Sequence, residues 1–384
     1  MLNNLALAKI ACRASNLVER LLITEELAAT NALNYCHNKL SAIETWVLDR
    51  LVGKLAVIEV KQNLYQSKIS IPTLSKLNKL LTNYKIYECN LENFPESELI
   101  KFTFPHTEWI NIYQQALATI ELAHSNYKES IWHEPNIYYG RFAKVCEPFL
   151  RYLEQNLRAI LTDINNTVTN FSIDEQCIAN IQLELLHRFE LMLARTIEAS
   201  INVYCYQNNL AKSSDIEAYI AYLEQTFNDE PSYHSFYCQF PVLGRWLAEV
   251  TKFLCNNTQE LLQRLTNDLT DINCTFFALK TIKRVKSLKL GQSDYHAGGY
   301  SVVLVELELV DSNETTQTET IVYKPRCLKT EAALQNLLQT LNQAEVVNFA
   351  TYKVLCKSGY GYAEFIRAGE NHAQSKKDIE RFYN

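Results

Sequence analysis

The sequence predicts an α+β chain: a predominantly helical region over residues 1–275, then a small lobe of antiparallel hairpins plus one helix over residues 276–384. Three observations carry this reading. Of nine glycines, only Gly53, Gly140 and Gly244 precede residue 290, whereas Gly291, Gly298, Gly299, Gly359, Gly361 and Gly369 follow it, so tight turns gather near the end. From Phe149 to Glu230 there is neither Gly nor Pro, and apolar residues recur at helical spacing, as in Ile178, Ile181, Leu185, Phe189 and Met192. After about residue 276 the apolar period shortens to two.

In chain order, the amino terminus lacks a basic segment before its apolar stretch and is interrupted by Lys9, Arg13 and Glu19, unlike a signal peptide. Pro95, Pro105, Pro135 and Pro148, and later Pro231 and Pro241, mark helix starts or breaks. The uninterrupted region between them predicts long amphipathic helices. Ser301 to Val310 places Val303, Val305, Leu307 and Leu309 on one face and Glu306 and Glu308 on the other, a half-buried strand. A polar connection, DSNETTQTE, leads to a second strand over Thr320 to Lys324. Thr330 is placed to cap a helix with Leu334, Leu337, Leu338 and Leu341 on its inner face. The run TYKVLCK, the turn SGYG and the run YAEFI then make another hairpin. Strand, strand, helix, strand, strand is the element order of a kinase small lobe.

Composition bounds the chemistry. The 384 residues are 47% hydrophobic and 21% charged, enough to build packed cores. A formal charge of −6 supplies no basic field for a nucleic-acid backbone, so nucleic acid is not expected as a partner. Eleven cysteines are spread from Cys12 to Cys356 with no C-x-x-C, which reads as reduced, buried thiols in a cytoplasmic protein. No apolar run is long enough to span a membrane.

Three segments carry possible chemistry. In GQSDYHAGG, Asp294 and His296 stand two apart between glycines, so an extended backbone would put a carboxylate and an imidazole on one side, fit for proton transfer. The alternative is a surface turn. In IVYKPR, Lys324 ends a strand where an ammonium needs an anion, and Arg326 could clamp a second phosphate oxygen. The alternative is a lysine that snorkels from the strand's edge. The aromatic strand YGYAEFI is either core packing or a connector whose backbone meets adenine.

Taken together, SDYHAGGYSV, VYKPR, the leucine-rich helix ending at Leu341 and Asn342, and GYGYAEFI resemble the run found in the dehydratase domain of class II (LanM-type) lanthipeptide synthetases. The likeness is most specific over residues 285 to 370 and extends more weakly through FPVLGRWL and LLQRLTNDL. It implies a lipid-kinase-like fold and the use of ATP and magnesium to phosphorylate Ser and Thr of a precursor peptide, followed by elimination to dehydroalanine and dehydrobutyrine. It also implies that Lys324 is the phosphate-binding lysine and that Asp294 and His296 are the Asp-x-His pair of dehydration. Tyr362 stands where the family commonly has Trp. The resemblance implies that the larger lobe with its magnesium ligands and the zinc-containing cyclase stand outside this chain, so no metal site, zinc or other, is expected within it. The chain alone is then expected to be inactive, with an exposed apolar patch around Tyr362 and Phe365. A non-catalytic module that binds the peptide or completes a partner chain, or a gene fragment without function, are the alternatives.

Overall fold

The computed structural model describes residues 2–14, 108–121, 131–210, 216–278, 280–344, 348–367, 375–377 and 380. Gly53, Pro95, Pro105 and Gly369 lie outside them. The architecture is the α+β arrangement the sequence predicts, helices first and a small sheet after them. The helices are α1 (Asn4–Arg13), α2 (Trp109–Glu121), α3 (Pro135–Tyr138), α4 (Ala143–Thr167), α5 (Gln176–Gln207), α6 (Ile216–Thr226), α7 (Glu230–Gln239) and α8 (Pro241–Ile272). A two-residue strand, β1 (Ser172–Ile173), separates α4 from α5. Then come β2 (Thr281–Lys289), β3 (Val303–Val310), β4 (Thr316–Lys324), α9 (Lys329–Gln343), β5 (Val354–Cys356) and β6 (Gly361–Glu364).

The chain divides into two compact units, one of residues 1–126 and 201–249, the other of residues 127–200 and 250–384. In the first, Tyr113, Tyr222, Phe227, Tyr233, Phe236 and Tyr237 pack as an aromatic core, most ring pairs edge-on or tilted and Tyr233 and Tyr237 stacked. Gly244 admits this packing, since a Cβ there would stand 3.2 Å from Tyr237 and 3.3 Å from Tyr113. Pro231 and Pro241 stand at helix starts, as predicted, and Asp229 caps α7 by accepting the Ser232 amide at 2.9 Å.

The second unit carries the six-stranded sheet, in the order β1-β2-β3-β4-β6-β5, antiparallel except for the β1–β2 pair. Strand β3 buries Val303, Val305, Leu307 and Leu309, the alternation read from the sequence. Its hairpin partner is longer than predicted: Thr316 to Glu319 pair with β3, because Asp311 accepts the amides of Asn313 and Thr315 and closes a short loop. Among helical residues, Ile178, Ile181, Leu185 and Phe189 are buried as predicted, but Met192 is 55% exposed and Leu193 continues the stripe. Pro135 begins a helix, whereas Pro148 lies inside α4 and does not break it.

Two strands have no alternating signature. In β2 the buried apolar positions Ile282, Val285 and Leu288 are three apart, because the register shifts between Ile282 and Arg284 and again between Val285 and Ser287. Strand β1 interrupts what reads as continuous helix and is held by Asn165, whose side chain exchanges hydrogen bonds with the Ile173 backbone. Helix α9 also departs from expectation. Leu328, not Thr330, is its N-cap residue, and Leu334 and Leu337 face solvent at 51% and 55% exposure. Cys146, Cys177, Cys205, Cys238, Cys255, Cys274, Cys327 and Cys356 are free thiols, of which Cys274 and Cys327 are exposed rather than buried.

Candidate functional site

Lys324 closes β4, and Pro325, which has no N–H to donate, follows it. The chain turns over Leu328, fully buried beneath Gly361 of β6, where a Cβ would stand 2.7 Å from the Leu328 side chain and 2.6 Å from the Leu355 carbonyl. That close approach sets the first turn of α9 beside the strand end. There Glu331 takes the Lys324 ammonium at 2.6 Å and the Arg326 guanidinium at 3.3 Å, and accepts the Tyr352 hydroxyl at 3.1 Å. Burial raises the Glu331 pKa, but the hydrogen bond and charge of Lys324, the Tyr352 hydroxyl and the charge of Arg326 outweigh it and hold the carboxyl below the usual range. Lys324 and Arg326, singled out from the sequence, are thus brought together on one anion. Glu331 was not singled out; its signal was a carboxylate in the first turn of the helix that follows the lysine strand.

The segment from Leu290 to Ser301 is a cross-braced loop. The Gln292 amide donates to the Val302 carbonyl, the His296 amide to the Tyr300 carbonyl at 2.9 Å, and the Val302 amide to the Ser293 hydroxyl. Gly298 and Gly299 take positive φ, and Asn257 of α8 donates to the Gly298 carbonyl at 2.9 Å. Tyr295 is clamped on α5, its hydroxyl on Glu184 and its ring 3.8 Å below the Arg188 guanidinium. Asp294 and His296, on either side of Tyr295, are both exposed, and no hydrogen bond joins their side chains among the described residues.

Between this loop and β4 lies a cavity of about 20 Å³, lined on one side by Gly299, Tyr300 and Ser301 and on the other by Val303 and Tyr323. Helix α8 ties the two sides. Glu260 accepts the Tyr300 hydroxyl at 2.8 Å and pairs with Arg264 at 2.5 Å, and Arg264 donates to the Tyr323 hydroxyl at 2.6 Å. One turn on, the buried Asp268 accepts Tyr360 at 2.8 Å and Tyr362 at 3.0 Å and pairs with Lys357 at 2.7 Å. Burial, and then the Asp268 carboxylate, push the Tyr360 phenol up to about 12, so it stays a donor.

Tyr362 is therefore core, not an exposed patch; it is fully buried, and Phe365 is half-buried. Strand β6 pairs with β4 on one edge and β5 on the other, so the backbone of Gly361 to Glu364 is committed to the sheet rather than open to adenine. Among the described residues, no three His, Cys, Asp or Glu side chains group as metal ligands, and no helix is long and apolar enough to cross a membrane.

No curated protein matches the chain. Residues 240–384, which include α8, the braced loop and the Lys324–Glu331 pair, match a family model described as a domain of unknown function, DUF4135, and that domain is present in this chain.

Proposed function

We propose that this chain supplies the nucleotide-gripping small lobe of an ATP-dependent peptide dehydratase of the class II lanthipeptide synthetase type, acting in the cytoplasm on Ser and Thr of a precursor peptide. The DUF4135 domain over residues 240–384 supports the family reading. The observation that carries the activity is the Lys324–Glu331 pair: a strand lysine held by a glutamate of the next helix is the arrangement with which kinases grip nucleotide phosphates. Lys324 would take a phosphate oxygen, and Arg326, 60% exposed beside it, a second. Magnesium would neutralise phosphate charge during transfer, with ligands from a larger lobe on a longer chain or on a partner. Asp294 and His296 would act in elimination, where a proton must leave the α carbon, and the Tyr295 clamp supports that reading by fixing the backbone between them.

The test is the mass of a cognate precursor peptide incubated with ATP, magnesium, this chain and a larger-lobe chain. The expected product is unmodified for Lys324→Ala and phosphorylated but not dehydrated for His296→Ala, with Asp294→Asn tracking His296→Ala. Wild-type dehydration in all three would remove these residues from the mechanism. A second reading, a non-catalytic module that completes a partner chain, is favoured by the outward-facing Leu334 and Leu337; dehydration that proceeds equally well with Lys324→Ala would support it.

A further inference from the structure

Helix α9 is mounted with its polar stripe inward. Glu331, Gln335, Leu338 and Asn342 recur at the i, i+4, i+7, i+11 positions of one face. Gln335, at 5% exposure, is its one buried residue, while Leu334 and Leu337 point to solvent. The ties along the inner stripe are hydrogen bonds to the segment that leads into β5. Asn342 and Phe349 exchange side-chain to backbone bonds at 2.8 and 2.7 Å. Gln335 accepts the Tyr352 amide at 3.0 Å, and Glu331 accepts the Tyr352 hydroxyl. An element with so little apolar burial opens at low free-energy cost, so its polar ties decide where it sits.

Tyr352 makes two of those ties, and its hydroxyl shares the Glu331 oxygen that holds Lys324. We propose that Tyr352, seated by Gln335, is the positioning residue of the Lys324–Glu331 pair: it holds the first two turns of α9 in place and keeps the Glu331 carboxylate aimed at Lys324. The importance of the pair rests on the phosphate-gripping reading given above. When a phosphate draws the ammonium away, the Tyr352 hydroxyl and Arg326 remain on Glu331, so the half-buried carboxylate is not left without partners.

The experiment uses the full chain and three readouts: amide hydrogen exchange along α9, the titration of the Glu331 carboxyl by carbon NMR, and calorimetric titration with ATP and magnesium. In Tyr352→Phe, exchange over Lys329 to Asn336 speeds up about tenfold, the loss of one hydrogen bond to a charged group. The Glu331 midpoint moves up towards the ordinary 4.5, while exchange in β3 stays as in the wild type and reports an intact sheet. Gln335→Ala speeds exchange likewise, Gln335→Glu, which keeps the acceptor, restores protection, and Leu334→Ser with Leu337→Ser changes neither. Unchanged α9 exchange and an unchanged Glu331 midpoint in Tyr352→Phe overturn the proposal, as does faster exchange in the leucine variant alone. ATP affinity separates this from the functional reading. A wild-type chain that binds no ATP even together with a larger-lobe chain sinks the nucleotide assignment, while exchange and titration still decide the role of Tyr352.

Discussion

Among the described residues, the buried hydroxyl of Thr258 of α8 has no hydrogen-bond partner, and it lines the small cavity between the braced loop and β4. The polar groups around it are already committed: Arg188 to Glu184, Asn257 to the Gly298 carbonyl, Tyr300 to Glu260, and Ser301 to the Gly291 amide. A desolvated hydroxyl with nothing to bond is destabilising, and valine has nearly its shape and helix propensity. Thr258→Val is therefore expected to stabilise the chain by about 1 kcal/mol. A rise in the denaturation midpoint checks this, and a fall would show that the hydroxyl does have a partner, such as a trapped water.

At the scale of elements, the polar stripe of α8 fastens helix to sheet. Glu260, Arg264 and Asp268 follow one another at four-residue intervals, and the tyrosines they bind come from the braced loop (Tyr300), from β4 (Tyr323), from the turn before β6 (Tyr360) and from β6 (Tyr362). Asp268→Ala would leave the buried Tyr362 hydroxyl, Tyr360 and Lys357 without their common acceptor, at a cost of about 3 kcal/mol. Asp268→Asn keeps an acceptor for the phenols and forfeits only the charge opposite Lys357, so a smaller loss is expected. Urea denaturation of the two variants orders them; equal losses would mean that the charge, not the phenol bonds, carries the contact.

For the whole molecule, two half-buried histidines set a pH dependence. His133, stacked on Trp132 at 3.6 Å, and His234, between the Tyr113 hydroxyl at 2.9 Å and the Cys238 thiol at 3.3 Å, are both held below the ordinary 6.5 by burial. The unfolded chain takes up these protons near pH 6.5 and the folded chain resists them, so stability is full above that pH and falls as pH drops below it. The lowered carboxyls of Glu147 and Glu331 act in the same direction, but only below their ordinary 4.5. Between pH 6.5 and 5 the denaturation midpoint should therefore decline, with a shallower slope in His133→Phe and in His234→Phe. A flat midpoint in the wild type over that window would contradict this account.

What the sequence determined by itself was whatever local period and turn chemistry encode. The helical stripe from Ile178 to Phe189, the alternation of β3, the proline-marked starts of α7 and α8, and the Gly359 turn between β5 and β6 all follow from neighbours a few residues apart. Lys324 and Arg326 were legible as a pair in want of an anion, because a charge at a strand end needs a partner. Only the tertiary structure named that partner, Glu331, and placed Tyr352 on it, since both contacts depend on how α9 turns relative to β4. It also decided what periodicity misread. Two bulges space the buried apolar residues of β2 three apart, and with Gln335 and Asn342 hydrogen-bonded on the inner side of α9, Leu334 and Leu337 face outward. An inward-facing polar stripe, whether on α8 or α9, looks in sequence like a solvated face, because what satisfies it lies on other elements farther along the chain.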